Sequence, residues 1–176
     1  NKPYSHLLYL QLADLYLSQQ RYEDSASAAR AYINRFGGDS QAPMMHHSII
    51  NAYVEGGFPL KVWEEKEAFV ADYSPAFTKT RARSLSTSAI PLSVRAISEK
   101  NRAEVAQWLR EYLQELSHYY YVSAQKQSGA SNKAKQHSKV SRSSASDALY
   151  RKAGEYYRLL VAAFPADAAI MLHSEG

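Results

Sequence analysis

The chain has 176 residues and a formal net charge of +4, with 14 Tyr, 7 Gly, 6 Pro and no Cys. That length holds one domain with a sizeable core, and the scarcity of Gly and Pro beside abundant Ala, Leu, Ser, Glu, Lys and Arg favours helices over a turn-rich β-sandwich. The missing cysteines exclude disulfides, thiol catalysis and Cys-based zinc sites, and no uncharged apolar run approaches the roughly 20 residues of a membrane-spanning helix.

In chain order, Leu7 to Gln19 places Leu8, Leu12 and Tyr16, with Tyr9 and Ala13, on one face at helical spacing. Asp24 to Phe36 resumes the pattern through Ala28, Ala29, Tyr32 and Phe36, and Gly37-Gly38 is expected to stop it by taking positive φ. Met45 to Glu55 predicts a third helix, Gly56-Gly57 a turn, and Leu60 to Tyr73 a fourth helix that Ser74-Pro75 ends. Residues 76–102 follow no such pairing. Within them Ala89 to Val94 reads as a short extended piece or a helix start, and Ser98 or Asn101 as the cap of the next helix, with Glu104 in its first turn. That helix is predicted over Ala103 to Gln125 and its partner over Ser146 to Phe164, with Pro165 as the stop. Between them Ser128 to Ser146 carries seven Ser, three Lys, one Arg and no acid. That composition predicts a mobile basic loop over about 126–146.

The chain also echoes itself. Tyr22 to Asp39 and Tyr150 to Asp167 both open on Tyr, carry a small residue three places on, and close on Phe, a helix breaker and Asp. Three helix pairs near 5–37, 44–75 and 103–165 therefore stand in one expected domain, 1–176. Their residues resemble the tetratricopeptide repeat family, whose pair reads aromatic, Leu, small, Tyr, then small, aromatic, Ala, Pro. The first pair has Tyr9, Leu12, Ala13 and Tyr16, then Tyr22, Ser25, Ala29 and Tyr32, with Gly37 in place of Pro. The second has His46, Ile49, Ile50 and Tyr53, then Val62, Lys66, Phe69 and Ser74-Pro75. The third has Leu113, Leu116, Ser117 and Tyr120, then Tyr150, Ala153, Tyr157 and Pro165. The first two repeats read as 42 residues apart where the family has about 34. The resemblance implies an all-α fold of stacked helix–turn–helix pairs, a short α-solenoid with a basic insertion.

No paired carboxylates, GxSxG, P-loop or Gly-rich phosphate turn is present. The expectation is a protein that is not an enzyme, with no catalytic residue, metal or cofactor. His46-His47 invites a metal reading, but adjacent histidines on a helix point about 100° apart. In the family that it resembles, the first helix of each pair lines the concave, partner-binding surface. By that resemblance Leu10, Asp14, Leu17, His47, Asn51 and Glu55 form a groove for a peptide or partner protein. His118 and Tyr119 to Tyr121 read as a tyrosine-rich seam or a binding cleft.

A second reading starts from charge. Residues 1–75 hold 6 Lys/Arg against 9 Asp/Glu, and residues 76–176 hold 15 against 8. The basic half, with Lys126, Lys133, Lys135, Lys139 and Arg142, would then hold an anionic polymer or nucleic acid. Aromatic interleaving is absent there, so nucleic acid is not the expected partner. Similar repeat proteins occur in bacterial cell-envelope assembly. By that resemblance the chain is a fragment of a larger envelope protein, periplasmic or outer-membrane associated, in a membrane-held complex; a cytoplasmic place stays open.

Overall fold

Six helices account for the regular structure of residues 4–76, 97–133 and 139–165, which the computed structural model describes. They are α1 (Ser5–Ser18), α2 (Tyr22–Phe36), α3 (Ala42–Glu55), α4 (Pro59–Tyr73), α5 (Glu99–Lys133) and α6 (Lys139–Ala163), with a 3₁₀ turn at Ser74–Ala76 after α4. The all-α class expected from composition and periodicity is what these residues adopt. The chain divides into two compact units, Asn1–Leu109 and Arg110–Gly176, and the division falls inside α5.

In the first unit the second helix pair repeats the first at an offset of 37 residues, not 42. Ser5 and Ala42 open α1 and α3, and Tyr22 and Pro59 open α2 and α4; counterparts have equal lengths, 14 and 15 residues. Pairing Ala29 with Phe69, as the sequence alone suggests, is a slip in register: Tyr32 is the counterpart of Phe69, and Phe36 of Tyr73. The turns repeat as well. Arg21 N–H donates to Tyr16 O at 2.9 Å and Gln20 N–H to Leu17 O at 2.9 Å. In the second pair Phe58 N–H donates to Tyr53 O at 3.0 Å and Gly57 N–H to Val54 O at 3.1 Å. Both are Schellman caps, which satisfy the last carbonyls of a helix and need one left-handed residue. That residue is Gly57 (φ 71) in one turn and Gln20 (φ 58) in the other.

Gln20→Gly should therefore raise stability by about 0.5–1 kcal/mol, because relief of left-handed strain outweighs the added freedom of the unfolded chain. A urea midpoint unchanged or lowered would contradict this. Gly37, expected at positive φ, sits instead in the right-handed region at φ −58. Its need is space: an added Cβ would lie 2.9 Å from the Ile33 carbonyl oxygen.

Small residues set the distance between helices. Ala26, Ala29, Tyr32, Met45, Ile49 and Ala52 form a buried cluster between α2 and α3, with Tyr9, Leu10, Leu17, Ile33, Phe36 and Tyr53 packed against it. Each pair then carries the same three-ring arrangement. Tyr9 meets Tyr32 at 5.6 Å and Phe36 at 6.3 Å. Thirty-seven residues on, His46 meets Phe69 at 5.3 Å and Tyr73 at 5.9 Å. All four contacts are edge-on, the arrangement that ring quadrupoles favour. Ion pairs join Glu23 to Lys61 and Arg30 to Glu65, so α2 and α4 run in the same direction. The start of α5 completes this unit. The Ser98 hydroxyl caps it by accepting from Asn101 N–H at 3.3 Å, and the Asn101 amide donates to Ser40 O at 2.7 Å.

The second unit is an antiparallel pair made by the rest of α5 and by α6. Tyr112, Leu113, Leu116 and Ala124 are buried on one helix and Ser146, Ala153 and Leu160 on the other. Tyr120 stacks on Tyr156 at 5.8 Å, Lys152 donates to the Tyr120 hydroxyl at 2.8 Å, and Arg110 lies over Phe164 at 4.7 Å. The loop expected over 126–146 is largely helix. The earlier helix continues to Lys133 and the later one starts at Lys139, so residues 126–133 and 139–146 are helical. Polarity misled the reading: Gln, Lys, Ala and Ser without proline extend an existing helix cheaply, since the cost lies in starting one. Residues 134–138 and 77–96, with the extended piece read at Ala89 to Val94, lie outside the described residues.

Candidate functional site

Of the expected groove residues, Leu10 with His47 and Asp14 with Asn51 occupy equivalent places in successive pairs, 37 residues apart. Asp14, Asn51 and Glu55 are exposed. Leu10 and Leu17 are half-buried, packed on the α2–α3 cluster. His47 lies flat on Trp108, ring centroids 3.8 Å apart and planes 7° from parallel, so its ring face is engaged within the first unit. The expected surface thus offers three exposed polar groups beside two leucines already committed to packing.

The opposite side of α1 is more open. The sequence reading put Leu8 and Leu12 inward with Tyr9 and Ala13. The structure turns Tyr9 and Ala13 towards the core and leaves Leu8 63%, Leu15 52%, Tyr4 54% and Leu12 40% exposed. The reason is local: α1 is apolar on nearly every side, so periodicity alone does not choose its buried face. The rings of Tyr32 and Phe36 choose it by packing on Tyr9.

A charged cluster around a buried histidine went unseen in the sequence. His46 of α3, with its side chain 5% exposed, places Nε2 at 3.3 Å from Glu65 Oε2 and Nδ1 at 4.0 Å from Asp72 Oδ2, both on α4. Arg30 of α2 pairs with the other Glu65 oxygen. Burial pushes the Glu65 carboxyl up, but His46 and Arg30 outweigh it and hold the group below its ordinary value. Burial raises Asp72, against the opposing pull of His46. Residues 19 and 26 apart in sequence leave no periodic signal that would join them. Where α4 carries Glu65, the first pair has Ala28, so the carboxylate accompanies the change from Tyr9 to His46. This is a packing element with charge compensation. Among the described residues no group of three His, Cys, Asp or Glu is placed to hold a metal ion.

In the second unit, α5 and α6 leave a groove of about 650 Å³ lined by Gln114, Ser117, His118 and Tyr121 on one wall and Tyr150, Ala153, Gly154, Tyr157 and Leu160 on the other. Tyr121 and Tyr150 meet edge-on at 5.8 Å. Of the run 119–121, Tyr120 enters the seam, Tyr119 meets it edge-on at 5.1 Å, and Tyr121 faces the groove. The signal was present as Tyr150 and Tyr157 at i and i+7. The basic residues are placed in part: Lys126 is exposed on α5, Lys133 ends that helix, and Lys139 and Arg142 lie in the first turn of α6. Lys135 lies outside the described residues. No described helix is long and apolar enough to cross a membrane. No family model, no curated protein and no solved structure matches the chain.

Proposed function

We propose that the chain is a protein-interaction scaffold, a tetratricopeptide-like helical array that binds a peptide or partner protein and performs no catalysis. The array reading is supported by the 37-residue offset, by the same cap and three-ring arrangement in both pairs, and by the shared direction of α2 and α4. The observation that carries the binding reading is α1. A helix apolar all round belongs in an interior, yet Tyr4, Leu8, Leu12 and Leu15 face solvent. Contiguous exposed apolar surface marks an interaction site. The occupant that suits it is an amphipathic helix of a partner, laid on α1 as α2 lies on its other side. A place in a larger bacterial envelope assembly belongs to this proposal, carried by the repeat resemblance.

The test compares two double variants of the full-length protein in capture of a partner from its own cell extract. Leu8→Ser with Leu15→Ser should leave the helical spectrum intact and weaken capture by about tenfold or more, the loss of two apolar anchors. Lys133→Ala with Lys139→Ala should leave it unchanged. The reverse pattern, with affinity falling steeply as salt rises, would replace this reading with the anionic-polymer one.

A further inference from the structure

We propose that the groove between α5 and α6 is a second, independent binding site and that its ligand is an uncharged proline-rich segment in the polyproline II conformation. Three features of the groove lead there.

The first is its spacing. Tyr150, Ala153, Gly154 and Tyr157 form one row on α6, at i, i+3, i+4 and i+7. Seven residues of α-helix rise about 10.5 Å, so two exposed tyrosine rings stand about that far apart. The hollow between them is floored by a methyl group and a glycine. Gly154 tolerates a side chain: a Cβ built there makes one ordinary contact, with Arg158 Nη2 at 3.8 Å. The opposite wall repeats the row as Gln114, Ser117, His118 and Tyr121. One turn of polyproline II is three residues and about 9 Å. A Pro-x-x-Pro segment therefore presents rings at nearly the spacing of this hollow and its flanking tyrosines.

The second is hydrogen-bonding character. The lining side chains offer three tyrosine hydroxyls, a serine hydroxyl, an imidazole and a carboxamide, each able to donate. A polyproline II segment makes no internal hydrogen bonds and leaves its carbonyls free to accept. An α-helical ligand has used most of its carbonyls internally, and its width of about 10–12 Å does not suit a slot between two packed helices.

The third is charge. No lining residue is acidic or carries a permanent positive charge, and the one cation beside the floor, Arg158, donates to the Gly154 carbonyl at 3.1 Å. An uncharged ligand matches that lining. Aromatic-lined grooves are the recurrent way in which extended proline-rich segments are held, because the ligand is already ordered before it binds.

The experiment uses a fluorescein-labelled, uncharged Pro-x-x-Pro peptide and its alanine-for-proline counterpart, with binding read by anisotropy on the full chain. The proline peptide should bind at least about tenfold more tightly than the alanine peptide, with little dependence on salt. Tyr150→Ala and Tyr157→Ala should each weaken it about tenfold, and Tyr157→Phe by less, since the ring remains and a donor is lost. Gly154→Leu is the decisive variant. It fills the hollow while replacing a helical glycine with a better helix former, so binding should be lost in a protein at least as heat-stable as the parent. Equal binding of both peptides, unchanged binding in Gly154→Leu, or no binding by the parent chain would each overturn the proposal. Tighter binding of a neutral oligosaccharide than of the proline peptide would overturn it in favour of a sugar site.

Discussion

Phe69→Ala should cost about 3–5 kcal/mol of stability, the range for removing a buried aromatic side chain. Phe69 is 0% exposed and stands among three other rings: His46 at 5.3 Å, Tyr73 at 4.6 Å and Trp108 at 6.5 Å. Truncation leaves a cavity bounded by α3, α4 and the start of α5, whose small and aromatic neighbours cannot collapse into it without moving helices. Its counterpart in the first pair, Tyr32, touches Tyr9 and Phe36 in the same way, and Tyr32→Ala should cost a similar amount. Urea unfolding of both variants is the measurement. A loss below about 1 kcal/mol at Phe69, beside a full loss at Tyr32, would mean that the second pair is not packed as the first is.

Glu65→Ala should destabilise by about 1–3 kcal/mol at neutral pH, because it removes the carboxylate that the buried His46 ring faces at 3.3 Å and that pairs with Arg30. The double variant Glu65→Ala with His46→Tyr restores the pattern of the first pair, Ala28 with Tyr9, and should recover part of that loss. Independent effects at the two sites, adding within about 0.5 kcal/mol, would show that the pair is not coupled. The acid limb supplies a second readout. Glu65 is held below its ordinary value in the folded state, so its contribution is complete above that value, near 4.5, and is lost as pH falls through the folded value. Asp72 is shifted the other way: its contribution is complete below its ordinary value and is lost as pH rises. Glu65→Gln should flatten the fall in stability on acidification, and Asp72→Asn should steepen it.

How much of this was legible follows from the range of the interactions concerned. The sequence by itself determined that the chain is helical, and it placed α2, α3 and α4 to within about three residues. Apolar spacing of 3.6 and the punctuation by Gly, Pro and Ser are written locally, and a helix satisfies its own backbone hydrogen bonds. It determined as well that the first two pairs are related, since Tyr9, Leu12, Ala13 and Tyr16 stand in the same order as His46, Ile49, Ile50 and Tyr53.

Only the tertiary structure extended that register, already 37 residues between the first helices, to the second helices. There the offset of 37 is set by Tyr32 and Phe69 meeting equivalent rings, which is a contact between helices. It decided too which side of α1 is covered, because leucines on both sides leave periodicity silent and the Tyr9–Tyr32–Phe36 cluster makes the choice. His46 with Glu65 and Asp72, and the groove walled by Tyr121 and Tyr150, unite residues from separate helices. The extent of the two long helices was misjudged for a related reason: a polar stretch cannot bury enough surface to order itself, yet it is ordered cheaply when helices on either side are already formed.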